Sequence, residues 1–196
     1  MPEEQDSFSF VDYFLQKEAA AKSKNFNTNK ANNDEWLTPP EIIHALGPFH
    51  LDPCAPRFRP WDTACEHYTA SGDGGLNAPW VGRVWLNPPY GKETFKWLAR
   101  LAEHGKGIAL IFARTETIGF HSTIWEKADA VFFFKGRLRF HYVTGEQGGA
   151  ANAPSCLVSY SKEDTISIIK ANEEGKLKGH LVFLKELPND QTSLAH

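Results

Sequence analysis

Apolar positions along this chain come in short runs separated by polar, Gly- and Pro-containing stretches. Runs at residues 49–51, 83–86, 107–113, 130–134, 138–143, 155–160 and 181–184 have the length and the aromatic and β-branched content of strands. Between them, apolar residues recur at helical spacing over residues 39–46, 92–104, 120–127 and 162–172. Strand–helix alternation of this kind predicts an α/β sheet of mainly parallel strands. Residues 138–143 and 155–160 read as a hairpin across the Gly-rich loop 145–151, which would reverse one strand. Residues 53–82 carry no periodicity and read as a long irregular connection.

The ends differ from the middle. Residues 7–22, with Phe8, Phe10, Val11, Tyr13, Phe14 and Leu15, read as one amphipathic helix capped by Asp6 or Ser7, and residues 22–33 as an Asn- and Lys-rich linker. The chain therefore divides into an N-terminal helical and linker extension (1–33), a folded domain (34–187) and a flexible tail (188–196). At 196 residues a single domain with a substantial core is expected. A net charge of −3 argues against a protein that coats nucleic acid electrostatically, though it allows a local basic face. Three cysteines, Cys54, Cys65 and Cys156, form no C-x-x-C pair, and the spacing of Cys54, Cys65 and His67 fits no standard finger. Neither a disulfide framework nor a metal is expected. The acidic N-terminus lacks an apolar signal core and no run approaches a membrane span, so a cytoplasmic protein is expected.

The chemistry concentrates at Asn87-Pro88-Pro89-Tyr90, which follows Val84-Trp85-Leu86 and precedes Gly91 and a helix. A proline after Asn87 biases it towards extended geometry, so its side chain projects from the strand end. Two prolines fix φ twice and remove two donors. What remains are acceptors, the Asn87 amide oxygen and the Pro88 carbonyl, suited to the two hydrogens of an NH2 group. Tyr90 offers a flat face. A Pro-Pro turn with Tyr90 as a core ring is the plain alternative; the strand before and the helix after favour a site.

In this setting Asn87-Pro88-Pro89-Tyr90 resembles the catalytic motif of amino-group methyltransferases that use S-adenosylmethionine. With Glu35-Trp36-Leu37-Thr38-Pro39-Pro40-Glu41, Leu51-Asp52-Pro53-Cys54-Ala55, Asp73-Gly74 with Leu76, Trp80, and Gly136-Arg137-Leu138-Arg139-Phe140, the ordered set over residues 34–160 resembles the small phage-type DNA N6-adenine methyltransferases, the Dam-like family. The resemblance implies a Rossmann-like methyltransferase sheet, mostly parallel with a reversed C-terminal hairpin strand. The short spacer from Asp52 to Asn87 would leave that sheet trimmed in the middle. It also implies S-adenosylmethionine as cofactor, adenine-containing DNA as partner, and a phage or prophage origin.

Under that resemblance Asn87, Pro88, Pro89 and Tyr90 are the catalytic set, and Trp36, Thr38, Pro39, Asp52, Pro53 and Asp73 the cofactor set. Thr38-Pro39-Pro40-Glu41 also reads as a helix start, with Thr38 as N-cap, Pro39 at N1 and Glu41 completing a capping box. Asp52 at a strand end is placed to meet a cationic amine, yet Asp-Pro is a common turn starter. Asp73 stands equally between an Asp-Gly turn and a cofactor ligand. The family's glycine-rich loop after this strand is replaced here by Cys54-Ala55-Pro56-Arg57-Phe58-Arg59-Pro60. Lys92, Arg137, Arg139 and Phe140 are the nucleic-acid candidates. Strand alternation sets Arg137 and Arg139 on one face and Leu138 and Phe140 on the other. The arginines suit phosphates or a solvated face, and Phe140 the core or a stacked base. Methylation of adenine N6 in DNA is the leading function. Amino-group methylation of RNA or of a protein glutamine, or a silent DNA-binding accessory protein of the same fold, are the rivals.

Overall fold

A computed structural model of the chain describes residues 35–70 and 74–185. The helix read at 7–22, the linker, the tail and Asp73 lie outside the described residues. The ordered elements run α1 (Pro40–Leu46), β1 (Leu51–Asp52), β2 (Glu66–His67), β3 (Val84–Leu86), α2 (Thr94–His104), β4 (Gly107–Phe112), α3 (Ile118–Phe120) continuing as a π turn over His121–Trp125, β5 (Ala130–Phe134), β6 (Arg139–His141), β7 (Gln147–Ala150), β8 (Ser155–Ser159), α4 (Lys162–Glu173) and β9 (Gly179–Phe183).

One sheet holds seven strands in the order β2-β1-β3-β4-β8-β5-β9. Strands β2, β1, β3 and β4 pair in parallel; β8 runs against both β4 and β5, and β9 against β5, so five of the seven strands point the same way. The α/β expectation holds. Along β4, alternation divides the core. Ile108 and Leu110 pack with Trp85, Phe132 and Leu157 beneath α1 and α4, while Ala109 and Ile111 pack with Leu86, Val131 and Val158 beneath α2 and the α3 turn. Both faces of the sheet are covered, which is why its strands read as unbroken apolar runs. Arg83 fastens the end of the sheet opposite the site. Its Nε donates to Asp164 Oδ1 at 2.6 Å and its Nη1 to the Leu46 carbonyl at 2.6 Å, and Asp164 Oδ2 accepts from Gly107 N at 2.7 Å.

Several expectations are corrected. The hairpin does not join residues 138–143 to 155–160. Strand β6 pairs with β7, which lies inside the Gly-rich run read as a loop, and β8 is inserted in the main sheet between β4 and β5. All five residues of β8 are buried, so only the sheet interior accommodates it, and it and β9 are both reversed. Glycine carries no alternation signal, which hid β7. A Cβ on Gly148 would stand 3.0 Å from the Phe140 carbonyl, so the small residue lets this ribbon close. The sheet expected to be trimmed in its middle is continuous there, because β1 pairs directly with β3, and the two-residue β2 lies outside β1. Helix α1 begins one residue later than read: Pro39 is its N-cap, Pro40 takes N1, and no side chain caps it. Thr38 is thus released from the capping box. No described helix is long and apolar enough to cross a membrane.

Candidate active site

Three parallel strands end side by side at one rim, and the residues just beyond them build a cleft. Asn87 follows β3, Asp52 ends β1, and Phe112 ends β4. Ligands of open α/β sheets sit at the carboxyl ends of strands for this reason: backbone turns there free side chains from the ladder. The cleft, about 530 Å³ including space open to solvent, is lined by Trp36, Thr38, Asp52, Cys54, Thr63 and Asn87 to Tyr90 among others. A bridge between Leu37 and His141 ties the Trp36–Thr38 segment to β6, closing one side.

The orientation of Asn87 is set by its neighbours. Its Nδ2 donates to the Trp36 carbonyl at 2.9 Å, which leaves Oδ1 facing the opening with only a 3.5 Å contact from the Tyr90 hydroxyl. The Cys54 thiol donates to the Asn87 main-chain carbonyl at 3.2 Å, holding the backbone. Among the described residues the Pro88 carbonyl takes no hydrogen bond, whereas that of Pro89 accepts from Thr94 Oγ1 at 2.7 Å. Thr94 Oγ1 also accepts from Gly91 N at 3.0 Å, so the turn is pinned to the start of α2. The Tyr90 ring stacks on Phe112 with centroids 4.1 Å apart and planes 17° from parallel, and Phe140 meets it edge-on at 6.4 Å. One face of Tyr90 is therefore taken. Burial, then the thiols of Cys156 and Cys54, push the Tyr90 phenol up, so the ring is neutral.

Asp52 is 3% exposed. Its Oδ2 accepts from Thr63 Oγ1 at 2.5 Å and its Oδ1 from Cys54 N at 3.1 Å. Burial outweighs these bonds and raises its pKa to about 6. A carboxylate held this dry is short of positive charge, and a cationic amine in the cleft would relieve it. In the same cleft, Thr38 Oγ1 is buried with no hydrogen-bond partner among the described residues. An orphaned hydroxyl in a cleft wall is a polar group in wait for a ligand. The cleft thus gathers Trp36, Thr38, Asp52, Asn87, Pro88, Pro89 and Tyr90. Pro39 and Pro53 are buried but do not line it. In place of a glycine-rich loop after Asp52, Gly75 lies against the Pro53 carbonyl, where an added Cβ would come within 1.8 Å. The sequence reading missed Thr63, which lies in an unpatterned stretch, and Phe112, which looks like any core residue at a strand end. No group of three or more His, Cys, Asp or Glu among the described residues could hold a metal ion.

A model of the DNA N-6-adenine-methyltransferase (Dam) family matches residues 25–185. The chain belongs to that family. No curated protein and no solved structure matches it. Dam-family membership agrees with the resemblance read over residues 34–160, and it implies adenine N6-methyltransferase activity on DNA. For a Dam-family enzyme the charge along the rim matters. Lys92 is exposed just past Tyr90, and Arg137 is exposed in the turn after β5, whose end lies on the same rim. Arg139 is exposed on β6 while Phe140 is 5% exposed and packs in the core, as alternation predicted. Phe140 thus serves as a wall behind Tyr90 rather than as an exposed stacking face. Arg114, exposed just past β4, extends the basic rim and was not singled out from the sequence.

Proposed function

We propose that this protein transfers a methyl group from S-adenosylmethionine to N6 of adenine in DNA, on a Rossmann-like methyltransferase fold. The observation that carries the reading is Asn87: its amide nitrogen is committed to Trp36, so its oxygen is presented to the cleft as an acceptor. The exocyclic amine of adenine is a poor nucleophile because its lone pair is drawn into the ring. Asn87 Oδ1 and the Pro88 carbonyl, bonded to its two hydrogens, favour a pyramidal nitrogen with a localised lone pair. This is positioning and electrostatics in a partly dry site, not strong-base catalysis.

The residues of the cleft fit the cofactor. Asp52 would hold its ammonium, Thr38 Oγ1 would supply a polar contact, and Trp36 a wall; when bound, S-adenosylmethionine supplies an electrophilic methyl group. The target base must leave the duplex to reach this depth, and the face of Tyr90 not covered by Phe112 is the one left to receive it. Lys92, Arg114, Arg137 and Arg139 would hold phosphates around the rim. The order of motifs supports the further reading that the enzyme serves a phage or prophage in a host cytoplasm.

The test is partition of label. Purified protein with methyl-tritiated S-adenosylmethionine, offered plasmid DNA, total RNA and protein extract separately, is expected to label DNA alone. Label in RNA or protein in its place would refute the substrate, and no label with measurable cofactor binding would favour a silent accessory role.

A further inference from the structure

Ile118 is 89% exposed, more than any other large hydrophobic side chain among the described residues. It does not hang on a loose loop. The turn before it is bonded throughout: Thr117 N and Oγ1 both donate to the Arg114 carbonyl, at 3.2 and 2.9 Å, and Trp125 Nε1 donates to the Thr115 carbonyl at 3.1 Å. Thr117 Oγ1 accepts in turn from Phe120 N. The next residue, Gly119, lies so close to the Phe95 ring that an added Cβ would stand 2.2 Å from it. The backbone is thus clamped on Phe95 while the Ile118 side chain is held out in water.

Phe95 lines a second hollow, together with Tyr90, Gly91, Thr94, Phe112 and Arg114. This hollow shares Tyr90 with the cleft and opens at the same strand ends. Arg114 in its lining and Lys92 next to Gly91 are both exposed and neither is in an ion pair with a described residue; the exposed acids Glu116 and Glu93 stand next to lining residues in sequence or one residue beyond, the latter paired with Lys96. A rigid apolar side chain standing out beside a basic, aromatic-lined hollow matches the demands of a duplex from which one base has been drawn. Cations hold the backbone, and an apolar wedge fills the unstacked step.

We propose that Ile118 is that wedge: it enters the base stack beside the extruded adenine and keeps the gap from closing. The proposal rests on the DNA-adenine reading above. It makes Ile118 matter for duplex substrate alone, since a single strand has no stack to refill. The experiment compares wild type with Ile118→Ala and Ile118→Val on one adenine-containing oligonucleotide, single-stranded and in duplex. A parallel duplex carries 2-aminopurine at the target, whose fluorescence rises on extrusion. For Ile118→Ala we expect kcat/KM on the duplex to fall about tenfold or more, in line with the cost of holding one step unstacked. The fluorescence rise should fall with it, turnover of the single strand should stay within about twofold, and Ile118→Val should recover most of the loss. Equal losses on both substrates, or no loss on the duplex, would overturn the wedge while leaving the methyltransferase reading in place. Wild type inactive on both substrates would overturn that reading and the wedge with it.

Discussion

Replacing Asp52 by Asn separates what this side chain costs the fold from what it offers a ligand. Burial raises its pKa from 3.8 to about 6. An acid whose folded pKa lies above its unfolded value takes up protons on folding, so its penalty is absent well below pH 3.8. The penalty grows as pH rises through the window from 3.8 to 6 and is complete above it. Two pKa units at about 1.4 kcal/mol each put the full penalty at roughly 3 kcal/mol near pH 7, falling below about 1 kcal/mol near pH 4. Asn keeps the local bonds. Its carbonyl can accept from Cys54 N, and its amide can donate to Thr63 Oγ1, which now donates to Asp52. Asp52→Asn should therefore stabilise the ligand-free protein by up to about 3 kcal/mol at pH 7, with a gain that shrinks towards pH 4. Urea unfolding of both proteins at the two pH values measures it. Repeating the pH 7 experiment with S-adenosylmethionine at one fixed excess should stabilise the wild type by more than the variant, because binding adds stability as the logarithm of ligand concentration over its dissociation constant. A variant less stable than wild type at pH 7, or a gain that does not change with pH, would refute the reasoning.

Thr38→Val removes a buried hydroxyl that has no partner among the described residues. The ligand-free fold should be unchanged or more stable by about 1 kcal/mol, while calorimetry should show weaker cofactor binding. Phe112→Ala takes away the ring at 4.1 Å that backs Tyr90. Turnover on DNA should fall about tenfold or more, with cofactor affinity little changed, because a loosened Tyr90 no longer presents one face to the base; single-turnover kinetics with separate cofactor titration would show the split.

The parts of this fold that were legible in the sequence are those with a periodic signal. The runs read at 83–86, 107–113 and 130–134 became β3, β4 and β5 within a residue, since strands covered on both faces are apolar throughout. Asn87 to Tyr90 was legible because two prolines and a strand end constrain what the four residues can present. Elements without period were not. Strand β2 is two residues long in an irregular stretch, and β7 is built on glycines. The placement of β8 depended on burial across the whole sheet, which no local pattern records. Around the site, the pairing of Thr63 with Asp52 and of Phe112 with Tyr90 arises only when distant segments meet at one rim. Thr38 shows how a local rule misleads: its sequence spells a capping box, but the helix starts at Pro40 and leaves the hydroxyl to the cleft.

The central claim is that Asn87 Oδ1 receives the amine of adenine. Nucleosides from plasmid DNA incubated with S-adenosylmethionine and either wild type or Asn87→Ala, resolved by mass spectrometry, test it most directly. The account predicts N6-methyl-2′-deoxyadenosine from the wild type and none above background from the variant, while both proteins bind the cofactor with similar affinity. N6-methyl-2′-deoxyadenosine at wild-type levels from Asn87→Ala, or methyl groups on any other base, would contradict it.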